Sequence, residues 1–475
     1  MESKHYKALA FDFDGTLFDT QDLNFKAYRL AYYDLGIEIT EEMFSKVKGL
    51  SVYQFNRAMG VECDVERLRE LKTKYYNEIS VYAKPNEYLI DLIFATDDVP
   101  KALVTTARKV NIQPLLHKYD LDEAFDVIIC QENVKNFKPA PDAYNLALEY
   151  LGIKGEDVLA FEDSRSGFVA ARSAGCDCVQ IGEFHNDCIV DMTGGSNSRT
   201  VLRYDFRSND LVVCKYADGV TDANKLINEY EFLKNNKHPY LIPVGSLFSQ
   251  EREKGFHAEY KMPYVFGGSF YEYQNKIGMF PEVLKRIYEF DTQDYNPNGR
   301  NHLDIRRECL ERYVWPGLKI YRKVTKHGNS FELWEGDIPD FVNDFRITRY
   351  HGDTTFENII MSRLLGPVLI DPVPYNNVTP GIVHDFAKIG QSLCGYEAIR
   401  DGQPFDYTVE KKVFDGYARS FLMQSEYQSL KFLVACLFFR RLRYQVNQNP
   451  KLVKPYGDIA MRLIEEFKAG KYSWE

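Results

Sequence analysis

A surplus of positive charge is missing from this chain. Its 59 lysines and arginines are outnumbered by 69 aspartates and glutamates, for a formal net charge of −10. That balance excludes a general polyanion-binding surface, so neither nucleic acid nor an anionic membrane is expected as a partner. Long apolar runs are missing too: the longest, "FLVACLFF", falls far short of the roughly 20 residues that cross a bilayer. The opening "MESKHYKALAF" reaches its first strand without the apolar stretch of a signal peptide, so no membrane insertion and a cytoplasmic location are expected. Cysteine is sparse: nine residues, an odd number scattered along the chain, do not make a disulfide framework. Cys176 and Cys178 have no second ligand pair downstream and are read as structural. Internal repeats and low-complexity linkers are also absent. What remains is a 475-residue chain with 45% hydrophobic and 27% charged residues, the composition of a globular protein of two or three domains.

The first part alternates short apolar strands, "LAFDF", "ALVTT", "DVIIC", "VLAFED" and "CVQI", with helical patterns. This predicts an α/β fold, a doubly wound parallel sheet whose ligands bind at the carboxyl ends of its strands. The helical stretch over about residues 20–83, including "DVERLRELKTKYYNEISVYA", is too long for a simple crossover and predicts a helical cap inserted after the first strand. Beyond residue 186, "GGSNSRTVLRYDFRSNDLVVCKYAD" turns to alternating strands with a glycine turn, an antiparallel signal. Past Pro281 the pattern is mostly helical.

The segment "ALAFDFDGTLFDT" runs a buried strand into Asp12 and Asp14, two carboxylates that repel each other unless a divalent cation neutralises them. One such carboxylate can attack phosphorus, while the other protonates the leaving oxygen and then activates water. Gly15 permits a sharp turn and Thr16 adds a hydroxyl. Three further pieces follow in order: Thr105 after "ALV", a donor to a phosphoryl oxygen; Lys138 in "NFKPAP", a positive charge for the nucleophile and the transferring group; and Glu162 with Asp163 at the tip of "VLAFEDS", hard oxygen ligands for Mg2+. This four-part constellation resembles the haloacid-dehalogenase superfamily in its phosphatase branch with a helical cap, the type of β-phosphoglucomutase and phosphoglycolate phosphatase. The resemblance spans residues 1–186. It implies Asp12 as nucleophile, Asp14 as general acid/base, and Asp12, the Asp14 main chain and Asp163 around the metal. Asp14 favours phosphate-ester hydrolysis or phosphomutase chemistry over dehalogenation. In the cap, "KVKGLSVYQF", with Lys48, is the segment expected to face the substrate.

The second half carries a different set. Lys215 stands as a lone cation in the strand "DLVVCKYAD", where a nucleotide-phosphate contact is expected, with Glu229 of the next helix, or Glu231, as its partner. Upstream, Gly194, Gly195 and Ser196 in "TGGSNSR" supply main-chain amides for phosphates. In "HGDTTFENIIM" and the following "VLIDP", Asp353 is placed to position a hydroxyl nucleophile, and Asn358 and Asp371 to hold magnesium. This segment resembles the aminoglycoside-phosphotransferase and choline-kinase family, whose "HGD" loop takes the place of the protein-kinase "HRD". "EYKMPYVFGG" is similar to a hinge that holds adenine, and Asp385 of "HDFAKIGQSL" is expected to brace the catalytic loop. The resemblance implies a two-lobed α+β protein-kinase-like domain over 187–475, with an N-lobe at about 187–263 and a C-lobe at about 264–475. It also implies ATP, or another nucleoside triphosphate, as phosphoryl donor. The metal loop departs from the protein-kinase pattern, reading "DPVP", and no "APE" segment follows, so the expected acceptor is a small-molecule hydroxyl on a sugar, polyol or amino alcohol. By analogy the pair suits the making of surface or capsule polysaccharide precursors. A phosphorylated small molecule is the expected substrate of the first half. Two alternatives stand beside this bifunctional reading: a nucleotide-binding, non-catalytic module regulating the phosphatase, and a phosphomutase fused to a kinase.

Overall fold

The computed structural model describes residues 6–45, 56, 61–192, 198–252, 255–272, 278–293, 304–325, 331–362, 365–373 and 381–474. The chain forms two compact units, Met1–Asp222 with Ser249–Tyr264, and Ala223–Phe248 with Val265–Glu475.

In the first unit the strands begin with β1 Ala8–Phe11, β2 Phe18–Asp19, β3 Lys84–Pro85, β4 Lys101–Val104, β5 Val127–Ile129, β6 Val158–Glu162 and β7 Asp177–Gln180. Five of them make a parallel sheet in the order β5-β4-β1-β6-β7, the doubly wound arrangement expected from the apolar strand runs. Those runs are continuous because both faces of a parallel sheet are covered. On one face the small side chains of Ala8, Ala10, Ala102 and Ala160 meet Ala143, Ala147, Ala170 and Ala171 of the flanking helices, which lets helix and sheet approach closely. On the other, Phe11 stacks on Phe161 with ring centroids 5.0 Å apart. The register pairs Phe11 with both Leu103 and Phe161. The residues just beyond them, Asp12, Val104 and Glu162, are thereby drawn to one edge of the sheet.

The chain leaves this edge through β2 and returns through β3, which pair antiparallel, Phe18 with Pro85 and Asp19 with Lys84. Between them lie helices Gln21–Asp34, Glu41–Ser45 and Val65–Ser80, the inserted cap expected at about 20–83. Asp64 starts the last of these by accepting a hydrogen bond from the Arg67 amide at 3.0 Å, a side-chain cap for a free helix end. The two long helices bury Ala31, Tyr32, Leu68 and Leu71 against each other.

A second sheet follows, built from β8 Val190–Asp191, β9 Arg199–Asp205, β10 Asp210–Asp218, β11 Leu247–Arg252 and β12 Gly255–Pro263 in the order β11-β12-β10-β9-β8. The β9–β10 turn rests on Asn209 at φ 49°, a conformation asparagine tolerates better than most residues. The sheet is tied to the parallel core: the Tyr204 amide donates to the Tyr88 hydroxyl at 3.1 Å and the Tyr6 amide to the Asn209 carbonyl at 3.4 Å.

The second unit is mostly helical, as the pattern past Pro281 predicts, with a small antiparallel sheet of β13 Gly267–Ser269, β14 Ile359–Ser362 and β15 Gly366–Leu369. Its longest helix, Gln424–Gln448, buries the whole of "LKFLVACLFF". Near its start, Glu426 takes a buried ion pair from Arg346, whose Nη2 lies 2.6 Å away. Among the described residues, no helix is long and apolar enough to cross a membrane.

Candidate active site

The end of β1 turns sharply because Gly15 adopts φ 82°, open to glycine at no steric cost. A side chain there would also collide with Asp163, whose Oδ2 lies 2.2 Å from where a Cβ would stand. The glycine therefore keeps open the space in which Asp163 approaches the Asp12–Asp14 loop. Asp12, Glu162 and Asp163 bring carboxylate oxygens within 4.8 Å of one another. One cation reaches into this acidic group. Lys138 Nζ donates to Asp12 Oδ1 at 2.7 Å, Glu162 Oε1 at 2.6 Å and the Val104 carbonyl at 2.8 Å. Tyr144 adds a hydrogen bond to Glu162 Oε1 at 2.6 Å. Thr105, buried at the end of β4, accepts from the Ala107 amide through its Oγ1 at 3.0 Å.

The electrostatics follow from burial. Desolvation, then mutual repulsion, raises the pKa of Asp12 above the usual carboxylate range, and desolvation does the same for Glu162; Lys138 opposes both shifts. Burial works against the charge of Lys138, but Asp12 and Glu162 outweigh it and raise its pKa. Lys138 lies buried against Asp12 and Glu162, and Glu162 Oε2 is buried without a hydrogen-bond partner. A hard divalent cation fits this oxygen-only donor set.

Asp14 is held by other groups. Its Oδ1 accepts from Thr20 Oγ1 at 2.5 Å, from Asn24 Nδ2 at 3.3 Å and from Tyr76 Oη at 3.3 Å. Asn24 and Tyr76 belong to the two long cap helices, so the cap reaches the carboxyl that the motif singled out. Beside Tyr76 the buried Lys72 places its Nζ 4.1 Å from the ring centroid; burial, against the pull of Asp14, lowers its pKa to about 8. Lys48 and its segment lie outside the described residues.

The family described as haloacid dehalogenase-like hydrolase matches residues 9–181. A phosphorylated carbohydrates phosphatase of Thermotoga maritima is 31% identical over 181 residues, covering 36% of this chain and 83% of that protein. The chain belongs to the haloacid dehalogenase-like hydrolases. The fructose-1-phosphate phosphatase YqaB of Escherichia coli is 27% identical over 183 residues, 38% of this hydrolase and 97% of that protein. Among solved structures, CbbY from Rhodobacter sphaeroides in complex with phosphate has 26% identity and a TM-score of 0.36, over 38% of this chain and 89% of its own.

The second unit of this hydrolase carries a separate cluster. Asp385, at the start of helix Ile382–Leu393, accepts from the His351 amide at 2.6 Å and the Gly352 amide at 2.7 Å, so it braces the "HGD" loop as its position suggested. Within that loop Asn358 Nδ2 donates to the Asp353 carbonyl at 2.9 Å. The Ile370 amide bonds the Asn358 carbonyl at 3.0 Å and the Val373 amide the His351 carbonyl at 2.8 Å. These bonds pin the Asp371 turn to the Asp353 loop from both sides. Asp371 itself sits at φ 57°, a strained conformation for a residue other than glycine. Asp353 pairs with Lys388, Oδ1 to Nζ 3.0 Å, and its pKa, raised by burial, is brought below the ordinary value by that cation.

In the first unit Lys215 is buried on β10 between Thr200 of β9 and Tyr260 of β12. Glu229 lies in helix Val220–Asn235. Glu231, the rival partner, is a surface residue beside Lys234 at 3.8 Å. Gly194, Gly195 and Ser196 lie outside the described residues. Sequence reasoning missed Tyr144, Thr20, Asn24, Tyr76 and Lys72 around the first cluster and Lys388 at the second. Lys72 and Tyr76 stand four residues apart, one turn of a cap helix, and Lys388 one turn beyond Asp385, but neither spacing says what these side chains meet across the fold.

Proposed function

We propose that the N-terminal half is a Mg2+-dependent phosphomonoester hydrolase that works through an aspartyl-phosphate on Asp12. The observation that carries this reading is the Lys138 bridge between Asp12 and Glu162, beside Asp163. Asp12 attacks phosphorus, forming a new P–O bond as the ester P–O bond breaks, and Asp14 gives its proton to the departing oxygen. Asp14 then takes a proton from water as that water attacks the phosphoryl group, which restores Asp12 and releases inorganic phosphate. Lys138 and Thr105 hold the phosphoryl oxygens, and Asp12, the Asp14 main chain and Asp163, with Glu162 behind them, are the groups to hold magnesium. The metal, when bound, offsets the negative charge that gathers on the transferring group. Phosphorylated carbohydrates are the substrate class that the names of the Thermotoga and Escherichia relatives support. Replacing Asp12 by Asn is expected to abolish phosphate release from sugar phosphates; persistence of release in a folded Asp12→Asn protein would overturn the assignment.

A second activity is proposed for the C-terminal half: phosphorylation of a small-molecule hydroxyl by a nucleoside triphosphate. The observation favouring it is the Asp385 brace together with the bonds that join the Asp353, Asn358 and Asp371 loops. Asp353 accepts the proton of the acceptor hydroxyl, and Asn358 and Asp371 are the groups to hold Mg2+ with the nucleotide. A purely regulatory module has no need of the full set. Calorimetry tests it: Asp371→Ala is expected to weaken magnesium-nucleotide binding, and Asp353→Ala to remove transfer while binding persists. Unchanged nucleotide affinity in Asp371→Ala overturns the metal assignment.

A further inference from the structure

Glu162 ends β6 wholly inside the protein, and its carboxylate is fixed from two sides. Oε1 accepts two hydrogen bonds, from Lys138 Nζ at 2.6 Å and from the Tyr144 hydroxyl at 2.6 Å. Oε2 faces the first turn of helix Arg165–Ser173, where a Cβ on Gly167 would lie 1.9 Å from it. Lys138 in turn has three N–H donors, and these go to Glu162, to Asp12 Oδ1 at 2.7 Å and to the Val104 carbonyl at 2.8 Å. Tyr144, on helix Asp142–Leu151, is 1% exposed, and its ring centroid lies 5.4 Å from Lys138 Nζ. The ammonium is therefore held between two acids, and the tyrosine touches the one that is not the nucleophile. A carboxylate oxygen that already accepts from a second donor pulls less strongly on the first, because each donor offsets part of its negative charge. Without the Tyr144 hydroxyl, Oε1 would turn its whole charge on Lys138 and draw the ammonium away from Asp12.

We propose that Tyr144 is a positioning residue of the hydrolase: its hydroxyl takes up part of the charge of Glu162, so that Lys138 stays shared with Asp12 and can follow the phosphoryl group as it moves onto Asp12. The inference rests on the proposed reaction at Asp12. Phenylalanine would fill the same apolar space, in the cluster that holds Ala143 and Ala147, so the oxygen and not the ring carries the role. The effect belongs to the transition state, where charge has moved toward Lys138, more than to substrate binding. It is therefore expected in kcat rather than in KM.

The test is steady-state phosphate release by the full-length protein from p-nitrophenyl phosphate, fructose 1-phosphate and glucose 6-phosphate, with magnesium binding followed separately by calorimetry. Tyr144→Phe is expected to lower kcat by roughly tenfold, the loss of one hydrogen bond to a charged group, with KM and magnesium affinity each within about twofold of the parent. In a Glu162→Gln background there is no charge to share. Adding Tyr144→Phe there is expected to change kcat by less than about twofold, whereas a merely structural role would cost the same in both backgrounds. Residue 162 in that pair carries no charge to be left short of a donor, so the comparison stands even where Tyr144→Phe alone fails to fold. Parent-like kcat in Tyr144→Phe overturns the proposal, as does a loss confined to KM or to magnesium affinity, or an equal loss of kcat in both backgrounds. Asp12→Asn, assayed alongside, reports on the reaction itself. Phosphate release that persists in that variant, or no release by the parent from any of the three substrates, overturns the aspartyl-phosphate reading and the role of Tyr144 with it. An inactive Asp12→Asn beside an unimpaired Tyr144→Phe removes the positioning role alone.

Discussion

Single residues in the phosphatase cluster act through charge that burial makes expensive to leave unmatched. Lys138 is the sharpest case, since its side chain is 5% exposed and its partners Asp12 and Glu162 are buried with it. Removing one member of such a buried ion pair typically costs about 3–5 kcal/mol. Lys138→Met is therefore expected to lower unfolding stability by that order in a urea titration and to abolish phosphate release; a change below about 1 kcal/mol would show that the two acids simply bind protons and relax. Gly15 makes a steric prediction. Alanine there meets both the left-handed φ and the Asp163 carboxyl, so Gly15→Ala is expected to displace Asp163 and reduce magnesium-dependent turnover at least tenfold, with apparent magnesium affinity falling in parallel. At Lys72 the expected change is in binding: Lys72→Met removes a cation held against Tyr76 and is expected to raise KM for a phosphorylated sugar more than it lowers kcat.

At the scale of elements, helix Ile382–Leu393 does two jobs one turn apart, bracing the loop with Asp385 and matching Asp353 with Lys388. Asp385 is backed by Asp291 of helix Phe280–Thr292, and burial raises both carboxyls, Asp385 to about 7. A carboxyl whose folded pKa lies above its unfolded value keeps its proton in the native state while the unfolded chain loses it. Stability from this group is thus full below about pH 4 and falls as pH rises toward 7, by at most about 1.4 kcal/mol per pH unit. Asp291→Asn keeps a polar neighbour for Asp385 without the second acid, so relative to the parent it is expected to gain stability between pH 5 and pH 7.5. The three tryptophans, Trp315, Trp334 and Trp474, all lie in the second unit, so their fluorescence during urea unfolding reads it selectively. A parallel pH dependence in parent and variant would refute this coupling of Asp385 to Asp291. This helix also marks how far the sequence could be read. The parallel strands were legible because each is a short apolar run, fully buried in the three central strands, and the acids at their tips sit in a fixed motif order. Lys388 was not, because nothing in "HDFAKIGQSL" says which of its polar residues faces a loop more than thirty positions upstream. The hold on Asp14 by Thr20, Asn24 and Tyr76 was equally hidden, since it forms only once the segment inserted between β2 and β3 has folded back over Asp14. The Asp371 turn could be placed by motif, but its φ of 57° could not, because the strain comes from the bonds of its neighbours on either side.

For the whole molecule, the proposed pair of activities raises the question of why one chain would both add and remove phosphate. Two sites acting on the same position of the same compound would only hydrolyse nucleotide. If the acceptor of the second half is already a phosphate monoester, the kinase product is a bisphosphate, and removal of its older phosphate by the first half leaves a monophosphate with the group in a new place. The pair then relocates a phosphate at the expense of one nucleoside triphosphate, and the cleavage step draws the sequence forward because phosphate release is strongly downhill. Supplying the intact enzyme with a sugar monophosphate, magnesium and ATP and following the phosphorus resonances tests this directly. The parent is expected to yield a relocated monophosphate with inorganic phosphate, and Asp12→Asn to accumulate the bisphosphate, since its kinase residues are untouched. Asp353→Ala should give neither, and only the starting compound or its dephosphorylated form should remain. If Asp12→Asn accumulates no bisphosphate from any sugar monophosphate that binds the parent, the relay is wrong, and the two halves act on separate compounds.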